Sequence, residues 1–184
     1  MPRPVIPRRK PEPRDLPDRS SDNDKRALVA CMPAESERRR LSAAVRYGGY
    51  GKHKRNASVW GVASYHGDAD DATYCEDAGL IPSDLARATR VIGRGIAAGL
   101  FGDRLDNGNP TILWTIDDNG WIYELRLTNR VQALYHGYPV RFRDAMARLV
   151  IARFDEWVLL KATVGLVASP SDRSALQAAQ NLYT

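Results

Sequence analysis

The sequence predicts an α+β fold: a small antiparallel sheet packed against two main helices, with a disordered N-terminal arm. Three observations carry this. Asn119-Gly120 is the strongest short hairpin signal, and it is flanked by β-patterned runs at 111–118 and 121–128. Segments beginning near Ser83 and Arg141 repeat apolar residues at helical spacing. Residues 1–22 hold six prolines and six Lys/Arg among few apolar residues, a composition that cannot bury enough surface to order itself.

The domain boundaries follow. Residues 1–26 read as the Pro/Arg-rich arm, 27–168 as one α+β domain, and 169–184 as a short C-terminal helix or tail after the break at Pro170. Hydrophobic content of 43% over 184 residues can supply a core without staples. Cys31 and Cys75 are too few for a disulfide framework and are expected to be reduced thiols. Residues 1–22 lack the apolar run of a secretory signal, and the longest apolar stretch, 157–168, is short and interrupted by Lys161. The expectation is a soluble, cytoplasmic protein with no membrane partner.

The first helix is expected over Pro33–Tyr47, with Glu35 and Glu37 at its positive end and Gly48-Gly49 stopping it. Residues 47–73 form a long stretch with little periodicity that nevertheless contains four aromatics, Tyr47, Tyr50, Trp60 and Tyr65. A second helix starts at the cap Ser83 and runs through Leu85, Ala88, Ile92 and Ile96. Gly93 and Gly95 within it suggest close packing on the sheet, and Gly99 or Gly102 ends it.

A two-residue turn at Asn119-Gly120 sets a register. It pairs Ile116 with Tyr123, Trp114 with Leu125 and Ile112 with Leu127 on one face, and Thr115 with Glu124 and Leu113 with Arg126 on the other. A third strand is expected over Val131–Tyr135, ending near Gly137 and Pro139. Arg141–Leu160 is the last long helix, with Met146, Leu149, Val150, Phe154, Trp157 and Leu160 on its apolar face.

Charge supplies the functional signal. The net charge is +5, and the signs segregate: seven basic and no acidic residues between Arg38 and Gly67, then six acids and no Lys or Arg between Asp68 and Asp84. Such a patch attracts phosphate or pairs with its own acidic neighbour. Within it, Tyr47-Gly48-Gly49-Tyr50-Gly51-Lys52-His53-Lys54-Arg55 combines close-approach glycines, cations and aromatic faces, the ingredients of single-stranded nucleic-acid binding.

Lys52 is followed by His53 rather than Ser or Thr, and Gly93-Arg94-Gly95 lies inside a helix, so neither a phosphate-binding loop nor a dinucleotide fingerprint is present. No cofactor is expected. The acidic stretch His66–Asp77 matches no metal-ligand spacing and is expected to bind no metal.

Three histidines, His53, His66 and His136, are available for proton transfer. His53 lies among cations that should keep it neutral, and His136 sits near the end of a strand. Glu124 and Arg126 add a carboxylate and a guanidinium on the hairpin. If the basic loop folds over them, the set holds what RNA transesterification needs, as in small bacterial ribonuclease toxins of comparable size and charge. No motif carries that analogy.

The leading expectation is a nucleic-acid-directed protein acting as a metal-independent ribonuclease. His53, His136 and Glu124 would transfer protons. Lys52, Lys54, Arg55, Arg126, Tyr47 and Tyr50 would hold phosphate or stack on bases. The alternative is a non-enzymatic module that docks an acidic protein or a nucleic acid through the arm and loop 47–56. The two part at one point: an enzyme needs His136 or His53 in a cleft with Glu124 or Arg126 within hydrogen-bond reach, whereas a module needs only a convex basic face.

Overall fold

The computed structural model describes residues 26–67, 72–81, 85–165 and 168–183. The arm falls outside the described residues except for its last residue, as do the cap positions Ser83 and Asp84. The described residues form four α-helices, α1 (Glu35–Ala44), α2 (Leu85–Ala97), α3 (Ala145–Thr163) and α4 (Pro170–Tyr183). They also form six strands, β1 (Arg46–Tyr47), β2 (Leu105–Asp106), β3 (Asn109–Pro110), β4 (Ile112–Ile116), β5 (Ile122–Asn129) and β6 (Leu134–Pro139). The main sheet has the order β1-β6-β5-β4, with β1 parallel to β6 and the other pairs antiparallel. Strands β2 and β3 form a separate ribbon. Among the described residues no helix is long and apolar enough to cross a membrane.

The sheet is covered on both faces. Ile112, Trp114, Ile116 and Ile122 pack with Met146, Val150 and Phe154 of α3 and with Ala175 and Ala179 of α4. Leu113, Leu125 and Tyr135 pack with Leu41 of α1 and with Ile92 and Ile96 of α2. The C-terminal segment is therefore part of the core. Tyr183 fastens it, donating its hydroxyl to the Val140 carbonyl at 3.0 Å and accepting from the Ile122 amide at 3.2 Å.

The hairpin forms around Asn119-Gly120, but its register is one residue off the expected one. Ile116 faces Ile122, Thr115 faces Tyr123, Trp114 faces Glu124 and Ile112 faces Arg126. The loop has three residues, Asp118 to Gly120. Asp117 donates its amide to the Trp121 carbonyl at 3.0 Å, and the Gly120 amide returns to the Asp117 carbonyl at 3.0 Å. Gly120 is left-handed at φ +84°, whereas Asn119 is not among the positive-φ residues, so a type I′ turn is ruled out. The Asp117 carboxylate selects this geometry by accepting the amides of Asn119 and Trp121, each at 2.9 Å. Side-chain alternation could not reveal the slip, because all five positions of β4 are buried.

The third strand lies later than expected. Residues 130–133 form a turn, with Val131 80% exposed and Ala133 at φ +48°. Gly137 and Pro139 are inside β6 rather than after it. The Val140 amide donates inward to Ile122, so by antiparallel alternation the nitrogen of Pro139 faces the outer edge, where no ladder bond is lost.

In α2, a Cβ on Gly95 would lie 2.1 Å from the Trp114 carbonyl oxygen, which is the close approach expected, while Gly93 faces open space. Helix α1 is shorter than expected, because Val45 turns extended and Arg46–Tyr47 join the sheet. Helix α3 starts at Ala145, where the Asp144 carboxylate accepts the Met146 amide at 2.9 Å. Leu149 and Leu160, assigned to its apolar face, are 47% and 43% exposed.

Candidate active site at the sheet edge

Beyond Tyr135, no strand among the described residues pairs with the outer side of β6. Residues of the described segments 49–67 and 72–75 lie along this edge instead. Thr73 donates its hydroxyl to the Pro139 carbonyl, and Cys75 Sγ lies 3.4 Å from the Gly137 carbonyl. A single 3₁₀ turn, Gly51–His53, delivers consecutive side chains to opposite faces. His53 lies over His136 and Tyr138, whereas Lys54 lies against Tyr47 and Cys75. Gly51 is required there, since a Cβ would stand 2.2 Å from the Ala63 carbonyl oxygen.

The first face holds the histidines. The rings of His53 and His136 are parallel within 13°, with centroids 5.8 Å apart. Tyr138 stacks on His53 at 4.4 Å, and Tyr50 lies 4.8 Å from His136. His53 Nδ1 lies 3.1 Å from the Thr73 carbonyl oxygen. Donation there leaves Nε2 as the proton acceptor. His136 Nδ1 is buried with no hydrogen-bond partner among the described residues.

Both imidazoles are neutral near pH 7. Burial lowers His53 to about 4, against the opposing bond to Thr73, and His136 and Lys54 lower it further. His136 is lowered to about 4, first by burial and then by Arg126.

Arg126 is the cross-strand partner of His136. It donates from Nε to Glu124 at 2.8 Å, and its side chain is 31% exposed. Glu124 is fully buried. It accepts from Arg26 Nε at 2.8 Å, from Trp114 Nε1 at 3.3 Å, from Arg126 and from the Tyr138 hydroxyl. Burial pushes this carboxyl up, but Arg26, Arg126 and Tyr138 together outweigh it and hold the group below its ordinary range. With its oxygens occupied, Glu124 positions Arg126 and Tyr138 and is not free to carry a proton. Thr115, expected on the same face, is on the other, donating to the Val91 carbonyl.

The expected phosphate set divides. Lys54 is 5% exposed and points inward, its Nζ 3.1 Å from the Tyr47 hydroxyl, 2.7 Å from Cys75 Sγ and 4.3 Å from the centre of the Trp60 ring. Tyr47 is thereby occupied as well. Arg55 forms a forked pair with Asp77 at 2.6 and 2.7 Å, so here the basic patch pairs with its acidic neighbour. Lys52 and Arg126 remain beside the histidines, with Lys52 5.4 Å from the centre of the Tyr65 ring. Tyr50 is 40% exposed and meets Tyr65 edge-on at 5.7 Å.

His66 is exposed. Residues 68–71 of the acidic stretch lie outside the described residues, and among the described residues no group of three His, Cys, Asp or Glu could hold a metal ion. Glu76 instead accepts the Trp60 indole at 2.7 Å.

Sequence reasoning missed Tyr138, Tyr65 and Arg26. The i, i+2 spacing of His136 and Tyr138 would have placed both on one face had 134–139 been read as a strand. No sequence signal marks Arg26. No family model, no curated protein and no solved structure matches this chain.

Proposed function

We propose that this protein acts on RNA in the cytoplasm as a metal-independent ribonuclease. One observation supports the reading above all: loop 47–56 folds against β6 and brings His53 into parallel register with His136, beside Arg126. One neutral histidine takes the proton of the ribose 2′-hydroxyl as its oxygen attacks phosphorus. The other must first take up a proton, which with both histidines held near 4 places cleavage at acidic pH, and then gives it to the departing 5′-oxygen. Arg126 and Lys52 neutralise the phosphorane, and Tyr50 offers a face for a base. Docking through loop 47–56 alone has less support, because Lys54 is buried and Arg55 is already paired.

The test is cleavage of a single-stranded RNA in the presence of a chelator. Wild type is expected to yield 2′,3′-cyclic phosphate ends and to spare a strand carrying a 2′-deoxynucleotide at the scissile position. His53→Ala and His136→Ala should each slow cleavage by about 100-fold or more while RNA binding persists. Lys52→Ala should reduce the slope of log affinity against log salt by about 0.7, and Arg55→Ala should leave it unchanged. RNA binding without cleavage at any pH would refute the enzyme and leave the binding module. No RNA binding at low salt would remove both.

A further inference from the structure

Behind the histidines, on the opposite face of β6, Lys54 and Cys75 form a buried pair that phosphodiester chemistry does not use. The two residues are 5% and 1% exposed. Among the described residues Lys54 makes no ion pair with a carboxylate; its ammonium faces Cys75 Sγ at 2.7 Å. Sulfur is larger than oxygen, so an N–H···S hydrogen bond should exceed the roughly 2.9 Å of an N–H···O bond. This contact is shorter. It matches instead the span of a nitrogen and a sulfur joined through one oxygen atom.

The surroundings suit such a linkage. Cys75 and Tyr47 border a cavity of about 20 Å³ whose walls include Leu80, Val91, Tyr123 and Leu125, with Thr115 and Asp117 also in the lining. That is room for about one water-sized molecule. A largely apolar space of this size suits a small uncharged molecule such as dioxygen better than a charged oxidant. Trp60 and Tyr47 hold the Lys54 ammonium in place, so the two reacting atoms are already oriented.

We propose that Lys54 and Cys75 form a covalent Nζ–O–Sγ bridge on exposure to dioxygen. The Lys54 ammonium first releases one proton; the Sγ–H bond and one Nζ–H bond of the resulting amine then break, and Nζ–O and O–Sγ bonds form. One atom of dioxygen becomes the bridge. The other leaves as water with the two hydrogens, so the amine and thiol together lose four electrons and dioxygen gains four. The bridge joins positions 21 residues apart and ties the turn that carries His53 to the turn Cys75–Ala78. It does not depend on the ribonuclease reading.

Protein purified without oxygen and then held in air-saturated buffer provides the test. Its intact mass should rise by about 14 Da, one oxygen gained and two hydrogens lost, and a thiol reductant should reverse the gain. Proteolysis should yield one cross-linked species containing Lys54 and Cys75, and melting temperature should rise on bridging. Lys54→Arg and Cys75→Ser, each checked for native circular dichroism, should abolish the mass gain. If either variant misfolds, the peptide map of the wild type decides alone. Full reactivity of both thiols after air exposure and denaturation would overturn the proposal. So would oxidation of Cys75 with Lys54 unmodified, or a loss of about 2 Da, which signals a direct sulfur–nitrogen bond.

Discussion

Replacing Arg26 with methionine keeps much of the aliphatic volume and removes the one guanidinium that joins Glu124 to Asp144. Arg26 is 1% exposed, and its nitrogens lie 2.8 Å from Glu124 Oε2 and 2.8 Å from Asp144 Oδ2. Glu124 is fully buried and Asp144 is 7% exposed, so the change strands two buried carboxylates. Removing one partner from such a set costs about 3–5 kcal/mol. Asp144 also caps α3, and Arg126 still offsets part of the Glu124 charge, so the lower half of that range is expected at pH 7. For a chain of this size that is a fall of roughly 6–15 °C in Tm.

Urea denaturation with matched m-values reads the free energy directly. The pH dependence carries the sign. Glu124 has a lowered pKa in the folded protein, so its stabilisation is present above the ordinary value of about 4.3 and is lost as pH falls through the folded pKa. In Arg26→Met the stranded carboxylates can be relieved by protonation, so the deficit should narrow as pH drops. A variant within about 1 kcal/mol of wild type at pH 7, or a deficit that widens towards pH 4, would refute the account of the buried network.

Gly120→Val should destabilise by about 3 kcal/mol or more, because a β-branched residue is forced to φ +84° with its Cβ 2.4 Å from the α4 backbone at Ala178 and Ala179; an unchanged urea midpoint would contradict the loop geometry. His53 and His136 are both held near 4, below the unfolded value of about 6.5, so the unfolded chain binds more protons between these limits and stability should rise with pH across that window. His53→Ala and His136→Ala should each flatten the rise, and histidine NMR titrations that keep ordinary midpoints would contradict it.

Much of the fold was legible because local chemistry agrees with it. The periodicity of Ile92 and Ile96, and of Met146, Val150 and Phe154, marks helices that do pack on the sheet. Asn119-Gly120 marks a hairpin because only a few turns accept a left-handed glycine there. The site was legible as composition: the loop, both histidines and Arg126 come together. What each residue does there was not. Lys52, Lys54 and Arg55 read alike in sequence, yet one borders the histidines, one is buried and one is ion-paired.

By itself, then, the sequence determined where helices and the hairpin form, since propensity, periodicity and turn chemistry act within a few residues. The tertiary structure decided the register of β4 on β5, the strand at 134–139, and the burial of Arg26. The register rests on the Asp117 carboxylate and on a sheet buried on both faces, where alternation carries no preference between them. Strand β6 tolerates Gly137 and Pro139 only because their outer edge meets a wrapping loop rather than another strand. Arg26 and Glu124 stand 98 residues apart in the chain, and no local rule joins two charges at that distance until the fold removes water from both.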